Sequence, residues 1–251
     1  MPRRAFTAPP PVARDTSPFP HRDHLRMPQP GDLIDAADYA FSFRTLEPRP
    51  DAPRALLVLL HGVGSDELQL ASIGERTPGD VLVALPRGYR SISGGKLGWY
   101  RVGLSEDGLQ VVEDEAEEAR LKLHEFVQQL QSRFDVPPER TVVAGFSQGG
   151  MLAASLALTS PETVAAFALL CGQMPPEVEP LHTPRADLAH LRALIVHGRQ
   201  DDTLPVEQAE LSDERLSQLG IRHELRLHRG GHELTGVVEN DAVEWLSRVL
   251  A

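Results

Sequence analysis

The chain has 251 residues, enough to bury a substantial core in one domain with some decoration. Its net charge of -11 argues against a nucleic-acid or anionic-membrane partner, because such surfaces are met by clustered Lys and Arg. One cysteine, Cys171, excludes an intrachain disulfide and a cysteine-based metal site and fits a reducing, cytoplasmic compartment, and no apolar run approaches the roughly 20 residues of a transmembrane anchor.

Residues 1–30 hold eight prolines and five arginines with almost no apolar periodicity, so a tail that cannot order itself is expected there. The pair Arg3-Arg4 lacks the following apolar region of an export signal, and Met27 is an alternative start. Residues 31–251 are expected to form the domain proper. YAFSFRTL (39–46) alternates like a half-buried strand, whereas RALLVLLH (54–61) and VLVALP (81–86) are continuous apolar runs suited to buried strands. A helix-length segment, DELQLASIGER, lies between them, and a glycine-rich loop covers 87–108. Residues 113–134 predict a long helix with Ala116, Leu123, Val127 and Leu130 on or near one face and an acidic start suited to a helix N-terminus. Then come strand 140–146, helix 149–159, strand 164–170, a Pro-rich loop, strand 192–197, helix 206–219, strand 222–228 and helix 235–250. Strands alternating with helices predict an α/β fold with a mostly parallel sheet covered on both faces.

Within TVVAGFSQGGM (141–151), a serine between glycines separates a strand from a helix. Gly145-Phe146-Ser147-Gln148-Gly149 fits GxSxG, the nucleophile elbow, in which a strained turn holds the serine out at the carboxyl edge of the sheet. The pattern alone is short enough to arise by chance as an ordinary Gly/Ser turn; the strand before it and the helix after it favour the nucleophile. A serine hydroxyl needs a base, and the base needs an orienting acid. Asp201 or Asp202 follows strand 192–197, and His232 follows strand 222–228, so both loops leave the same sheet edge as Ser147. His124, His182, His190 and His223 lie in unsuitable elements. His228 ends a strand, whereas His232 sits in a glycine-flanked loop that can carry an imidazole over the elbow.

Two backbone N–H groups are expected to receive the oxyanion of a tetrahedral intermediate: that of Gln148, which opens the helix, and that of Val63 in the loop HGVGSDE. His61 is expected to brace this loop.

Together LLHGVGSDE, LPRG, GWY, GFSQGG, HGRQDDTLP and GGHE resemble the phospholipase/carboxylesterase family of α/β-hydrolases, which includes acyl-protein thioesterases and bacterial carboxylesterases. The resemblance runs from about residue 39 to 250 and is closer to the bacterial esterase branch. It implies an α/β-hydrolase fold, a Ser147, Asp201, His232 triad and an oxyanion hole from Val63 and Gln148. Asp201 is chosen over Asp202 because it falls where the family pattern HGxxD has its acid. Two departures, the N-terminal tail and Cys171 where a serine is common, leave the triad untouched.

About twenty residues separate strands 164–170 and 192–197, so no large cap domain is expected and the site should be open. Leu97, Trp99, Tyr100, Met174 and Leu204 are candidates to line it, with core packing the alternative for Trp99. The expected activity is hydrolysis of short to medium uncharged carboxylic esters, small molecules, without cofactor or metal; a homodimer is the one assembly left open. An acyl thioesterase or lysophospholipase-type hydrolase uses the same machinery. A dienelactone-type enzyme would favour cysteine at position 147, and a non-catalytic binding protein on this fold would be expected to lack a triad member.

Overall fold

The apolar runs become strands because each is too short for a helix and rich in residues that fill both faces of a buried sheet. The computed structural model describes residues 28–105, 108–175 and 185–251. Its elements in chain order are β1 (Gln29–Pro30), β2 (Phe43–Glu47), β3 (Ala55–Leu60), α1 (Ala71–Gly74), β4 (Val81–Pro86), β5 (Arg90–Ser91), β6 (Leu97–Gly98), β7 (Val102–Ser105) and β8 (Gly108–Val111). There follow α2 (Glu113–Phe134), β9 (Thr141–Phe146), α3 (Gln148–Thr159), β10 (Ala166–Leu170), α4 (Arg185–Leu188), β11 (Arg192–Gly198), α5 (Val206–Leu219), β12 (Arg222–His228) and α6 (Gly236–Val249).

Eight strands form one sheet in the order β1-β2-β4-β3-β9-β10-β11-β12. The six from β4 to β12 are parallel, and β2 and β1 add antiparallel pairs at one edge. Side-chain alternation divides the interior into two layers. Leu56, Val58 and Leu60 of β3, Val143 of β9 and Phe167 and Leu169 of β10 meet α2, α3 and α5 on one face. Leu57, Leu59, Ala144, Ala168 and Val196 meet α1 and α6 on the other. Helix α2 buries Ala116, Ala119, Leu123, Phe126, Val127 and Leu130 at helical spacing and carries Glu113, Asp114 and Glu115 in its first turn. No cap domain interrupts the described residues.

The outer strand β12 is exposed at Arg222 and half-buried from His223 to His228. Leu225 and Leu227 pack on the α5 side. On the α6 side Arg226 meets Glu224 at 2.7 Å, Asp241 at 3.1 Å and Glu244, and Arg248 joins Glu224 at 2.7 Å.

Four expectations need correction. The strand expected from residue 39 starts at Phe43, because residues 39–42 bend to bring Phe41 into an aromatic cluster with Trp99 and Phe126. The helix expected over 66–76 shortens to Ala71–Gly74. Ahead of it, Asp66 Oδ1 accepts the Leu68 N–H and Gln69 Oε1 accepts the Gly62 N–H, tying the segment into turns instead. The expected loop 87–108 contains the small antiparallel pair of β5 with β6 and also β7, which pairs antiparallel with β8 at the loop's end. Finally, Gln29–Pro30, expected to be tail, pairs with Leu46 and Glu47; the remainder of that tail lies outside the described residues.

Candidate active site

Ser147 follows β9 with φ 52° and ψ -119°, a backbone conformation that side chains other than glycine rarely adopt. The turn is held because Ser147 N–H donates to the Leu170 carbonyl at 2.8 Å and Met151 N–H donates to the Ser147 carbonyl at 3.0 Å. It is tight: a Cβ on Gly149 would lie 2.3 Å from the Leu60 carbonyl oxygen. The glycine pattern therefore reflects backbone contact between β3 and the start of α3.

The loops after β11 and β12 are fastened together before they reach Ser147. Arg199 N–H donates to the His228 carbonyl at 2.9 Å, and Gln200 N–H to the Gly230 carbonyl at 2.8 Å. A Cβ on Gly198 would meet the Gly230 oxygen at 2.4 Å, so this approach also needs glycine. The result is a continuous relay. Ser147 Oγ lies 2.9 Å from His232 Nε2, and His232 Nδ1 lies 2.7 Å from Asp201 Oδ2. Asp201 Oδ1 accepts the N–H groups of Thr203 at 2.9 Å and Leu204 at 2.8 Å. The carboxylate is thus buried yet satisfied at both oxygens, as a stable internal anion requires. Phe146 flanks the imidazole with ring centroids 5.2 Å apart. The nearby Cys171 thiol is pushed up to about 12, chiefly by burial and then by the charge of Asp201, so it remains protonated beside the relay.

The two expected oxyanion donors border the same cleft as Ser147. Gln148 is the first helical residue of α3, whose N–H has no partner within the helix. Val63 N–H meets no acceptor among the described residues. His61 braces their loop as expected: its Nε2 accepts the Gly88 N–H at 2.9 Å, which leaves Nδ1–H to donate to the Gly62 carbonyl at 2.8 Å. Burial holds the pKa of His61 below its ordinary value, consistent with a neutral ring whose Nε2 accepts. The Gln148 side chain has a separate role. Its Oε1 accepts Trp99 N–H at 2.9 Å and its Nε2 donates to the Tyr100 carbonyl at 2.8 Å, clamping residues 98–100 against the elbow.

The cleft at Ser147 measures about 330 Å³ and is lined by Val63, Val102, Gly103, Gln148, Met151, Thr203 and Leu204. Of the five residues expected to line it, only Leu204 does so. Trp99 and Tyr100 are fully buried in the core, and the Trp99 indole N–H donates to the His61 carbonyl at 2.8 Å, so its one polar group is satisfied internally. Leu97 braces the loop that carries Val63, its carbonyl accepting Gly64 N–H at 2.7 Å. Met174 packs in the core layer of α5, its N–H bonded to Ser212 Oγ at 2.9 Å. Met151 had a readable signal, lying one helical turn after the nucleophile. Val102 and Gly103 had none, since they come from the short pair β7 and β8. A larger groove of about 710 Å³ beside α2 is lined mainly by polar groups such as Asp38, Glu125, Gln129 and Ser132 and does not include Ser147, His232 or Asp201.

A model of the phospholipase/carboxylesterase family matches residues 44–250. MhqD of Bacillus subtilis is 28% identical over 195 residues, spanning 78% of this chain and 94% of that protein. The solved structure of a Mesorhizobium loti carboxylesterase superposes with a TM-score of 0.72 at 24% identity, covering 88% of this chain and 99% of its own. That of Zea mays acyl-protein thioesterase 2 gives 0.68 at 20% identity, covering 83% and 99%. At such identities these structures establish the shared fold.

Proposed function

The chain belongs to the phospholipase/carboxylesterase family, and from that premise we propose that Ser147, His232 and Asp201 are the catalytic triad of an esterase. The protein is a serine hydrolase acting on carboxylic esters. The single observation that carries the assignment of roles is the unbroken relay from Ser147 Oγ through His232 to Asp201 at 2.9 and 2.7 Å.

In the proposed reaction the ester carbonyl sits beside Ser147. His232 Nε2 takes the hydroxyl proton as Oγ attacks the carbonyl carbon. The resulting oxyanion is received by the N–H groups of Val63 and Gln148, residues that border the cleft beside Ser147. Asp201 keeps Nδ1 protonated and stabilises the imidazolium. That imidazolium then gives its proton to the departing alkoxide, leaving an acyl-serine. Water repeats the sequence: His232 removes its proton, hydroxide attacks, and Ser147 departs with the proton returned.

The apolar walls of Val63, Val102, Met151 and Leu204, with Thr203 the one polar side chain besides Ser147 and Gln148 among the described residues, support an uncharged acyl group. The volume of about 330 Å³ supports a short to medium chain. The negative net charge supports a small ester over nucleic acid, and the single thiol supports cytoplasmic residence. The test is labelling by a fluorophosphonate probe, expected at one equivalent and on Ser147. In parallel, a graded panel of p-nitrophenyl esters and acyl thioesters is expected to favour short to medium esters. Ser147→Ala should abolish labelling and lower turnover by roughly a million-fold while remaining folded. Turnover retained by clean, folded Ser147→Ala protein rules the mechanism out.

A further inference from the structure

His197 is the penultimate residue of β11, four residues before Asp201, and its side chain is wholly buried. Its Nε2 lies 2.8 Å from the Leu204 carbonyl oxygen and 3.3 Å from Asp201 Oδ2. A carbonyl oxygen only accepts, so Nε2 carries the hydrogen and donates it to Leu204, with Asp201 Oδ2 beside the same N–H at 3.3 Å. Nδ1, on the other side of the ring, has no hydrogen-bond partner among the described residues. A buried polar atom left without a partner costs stability, so filling space alone would be served better by an apolar side chain. Packing therefore does not explain an imidazole here, and the explanation has to come from what Nε2 touches.

Asp201 Oδ2 is the oxygen that receives the Nδ1–H of His232. Oδ1 is already pinned by the Thr203 and Leu204 N–H groups, but two bonds to one oxygen leave the carboxylate able to swing about it. The His197 contact restrains the other oxygen. Leu204 closes the arrangement, donating through its N–H to Asp201 Oδ1 and accepting through its carbonyl from His197. The ring runs His197, Leu204, Asp201 and back to His197, with His232 attached at the oxygen that His197 faces.

The geometry points to His197 as a positioning residue for Asp201, its Nε2–H holding Oδ2 on the line to His232 Nδ1. This rests on the triad reading above and adds a fourth side chain that touches neither substrate nor Ser147. Because it acts through Asp201, it should affect the chemical step and leave substrate binding alone.

His197→Leu keeps bulk and removes the donor, whereas His197→Gln keeps an N–H close to the Nε2 position. With a short-chain p-nitrophenyl ester, the leucine variant should lose about ten- to a hundredfold in kcat with KM changed less than about threefold, and the glutamine variant should recover most of the loss. In an Asp201→Asn background the leucine change should cost less than about threefold more, since groups acting through one contact are not additive. A leucine variant with wild-type kcat, an equal loss in the Asp201→Asn background, or a glutamine variant no better than leucine would each overturn the inference. Should the leucine variant fail to fold, histidine nitrogen NMR of the wild-type protein decides: His197 must carry its proton on Nε2, and a proton on Nδ1 alone refutes the proposed contact. Retained turnover in Ser147→Ala overturns the triad reading and this inference with it. A dead Ser147→Ala beside an unaffected His197→Leu overturns this inference alone.

Discussion

Asp201 and Asp202 are joined by one peptide bond and face opposite environments: the first is buried with Oδ2 2.7 Å from His232 Nδ1, the second is exposed. Losing the orienting carboxylate lets the imidazole adopt the wrong tautomer, which costs on the order of ten-thousand-fold in turnover. Asp201→Asn should therefore be nearly inactive, while Asp202→Asn stays within about tenfold of wild type. Turnover of a short-chain p-nitrophenyl ester by both purified variants, with circular dichroism to check folding, reads the difference. A reversed order assigns the acid to Asp202.

Gly149 leaves no space for a side chain. Its nearest neighbours are the backbone oxygens of Leu60, at 2.3 Å from an added Cβ, and His61, at 2.6 Å, and backbone cannot swing aside as a side chain does. Gly149→Ala should cost about 3 kcal/mol or more in unfolding free energy. It should also lower kcat by on the order of a hundredfold through displacement of the elbow. Urea melts and steady-state kinetics test both. An alanine variant with an unchanged urea midpoint contradicts the close contact.

Met151 is buried, lies one turn after Ser147 in α3 and borders the cleft. Shortening it deepens the apolar end of the site without adding charge. Met151→Val should raise the ratio of kcat/KM for octanoyl over butyryl esters by about tenfold or more, since a methylene in such a pocket is worth at least a factor of this size. An unchanged ratio would mean that the acyl chain leaves the cleft by another side.

His61 links stability to pH. Burial keeps its pKa below the ordinary 6.5, so below that pH the unfolded chain takes up a proton that the folded chain refuses. The unfolded state then binds more protons, and stability rises with pH across the window. The contribution is whole above about 6.5 and is lost progressively as pH falls from there through the folded-state pKa. His61→Gln can still offer an oxygen to Gly88 N–H but does not titrate. The melting temperature of wild type should fall more than that of His61→Gln between about pH 7.5 and about pH 5.5. Parallel curves would show that His61 is not the group responsible.

The elements that carry the relay were readable because their constraints are local. A serine between glycines needs a strand before it and a helix after it, and His232 lies among glycines that let two loops touch. Choosing Asp201 over Asp202 was different: both follow the same strand, and only resemblance to a motif separated them before burial did. The cleft walls were largely hidden. Trp99 and Tyr100 looked like lining groups by residue type, but the indole N–H finds the His61 carbonyl and the backbone finds Gln148, partners 38 and 49 residues away from Trp99 that no pattern along the chain announces. Strands of two to four residues, such as β5 to β8, are too short to show alternation. The segment 66–76 had helical composition, and Asp66 and Gln69 diverted it by bonding backbone groups.

A sheet can be lengthened by backbone laid against a free edge, and the two edges here are unequal, seven residues in β12 against two in β1. Arg226 stands in the middle of β12, committed to three carboxylates, with Arg248 drawing Glu224 into the same cluster. An incoming strand would have to strip water from that charged row and place its own side chains beside it, so the longer edge is a poor template for polymerisation.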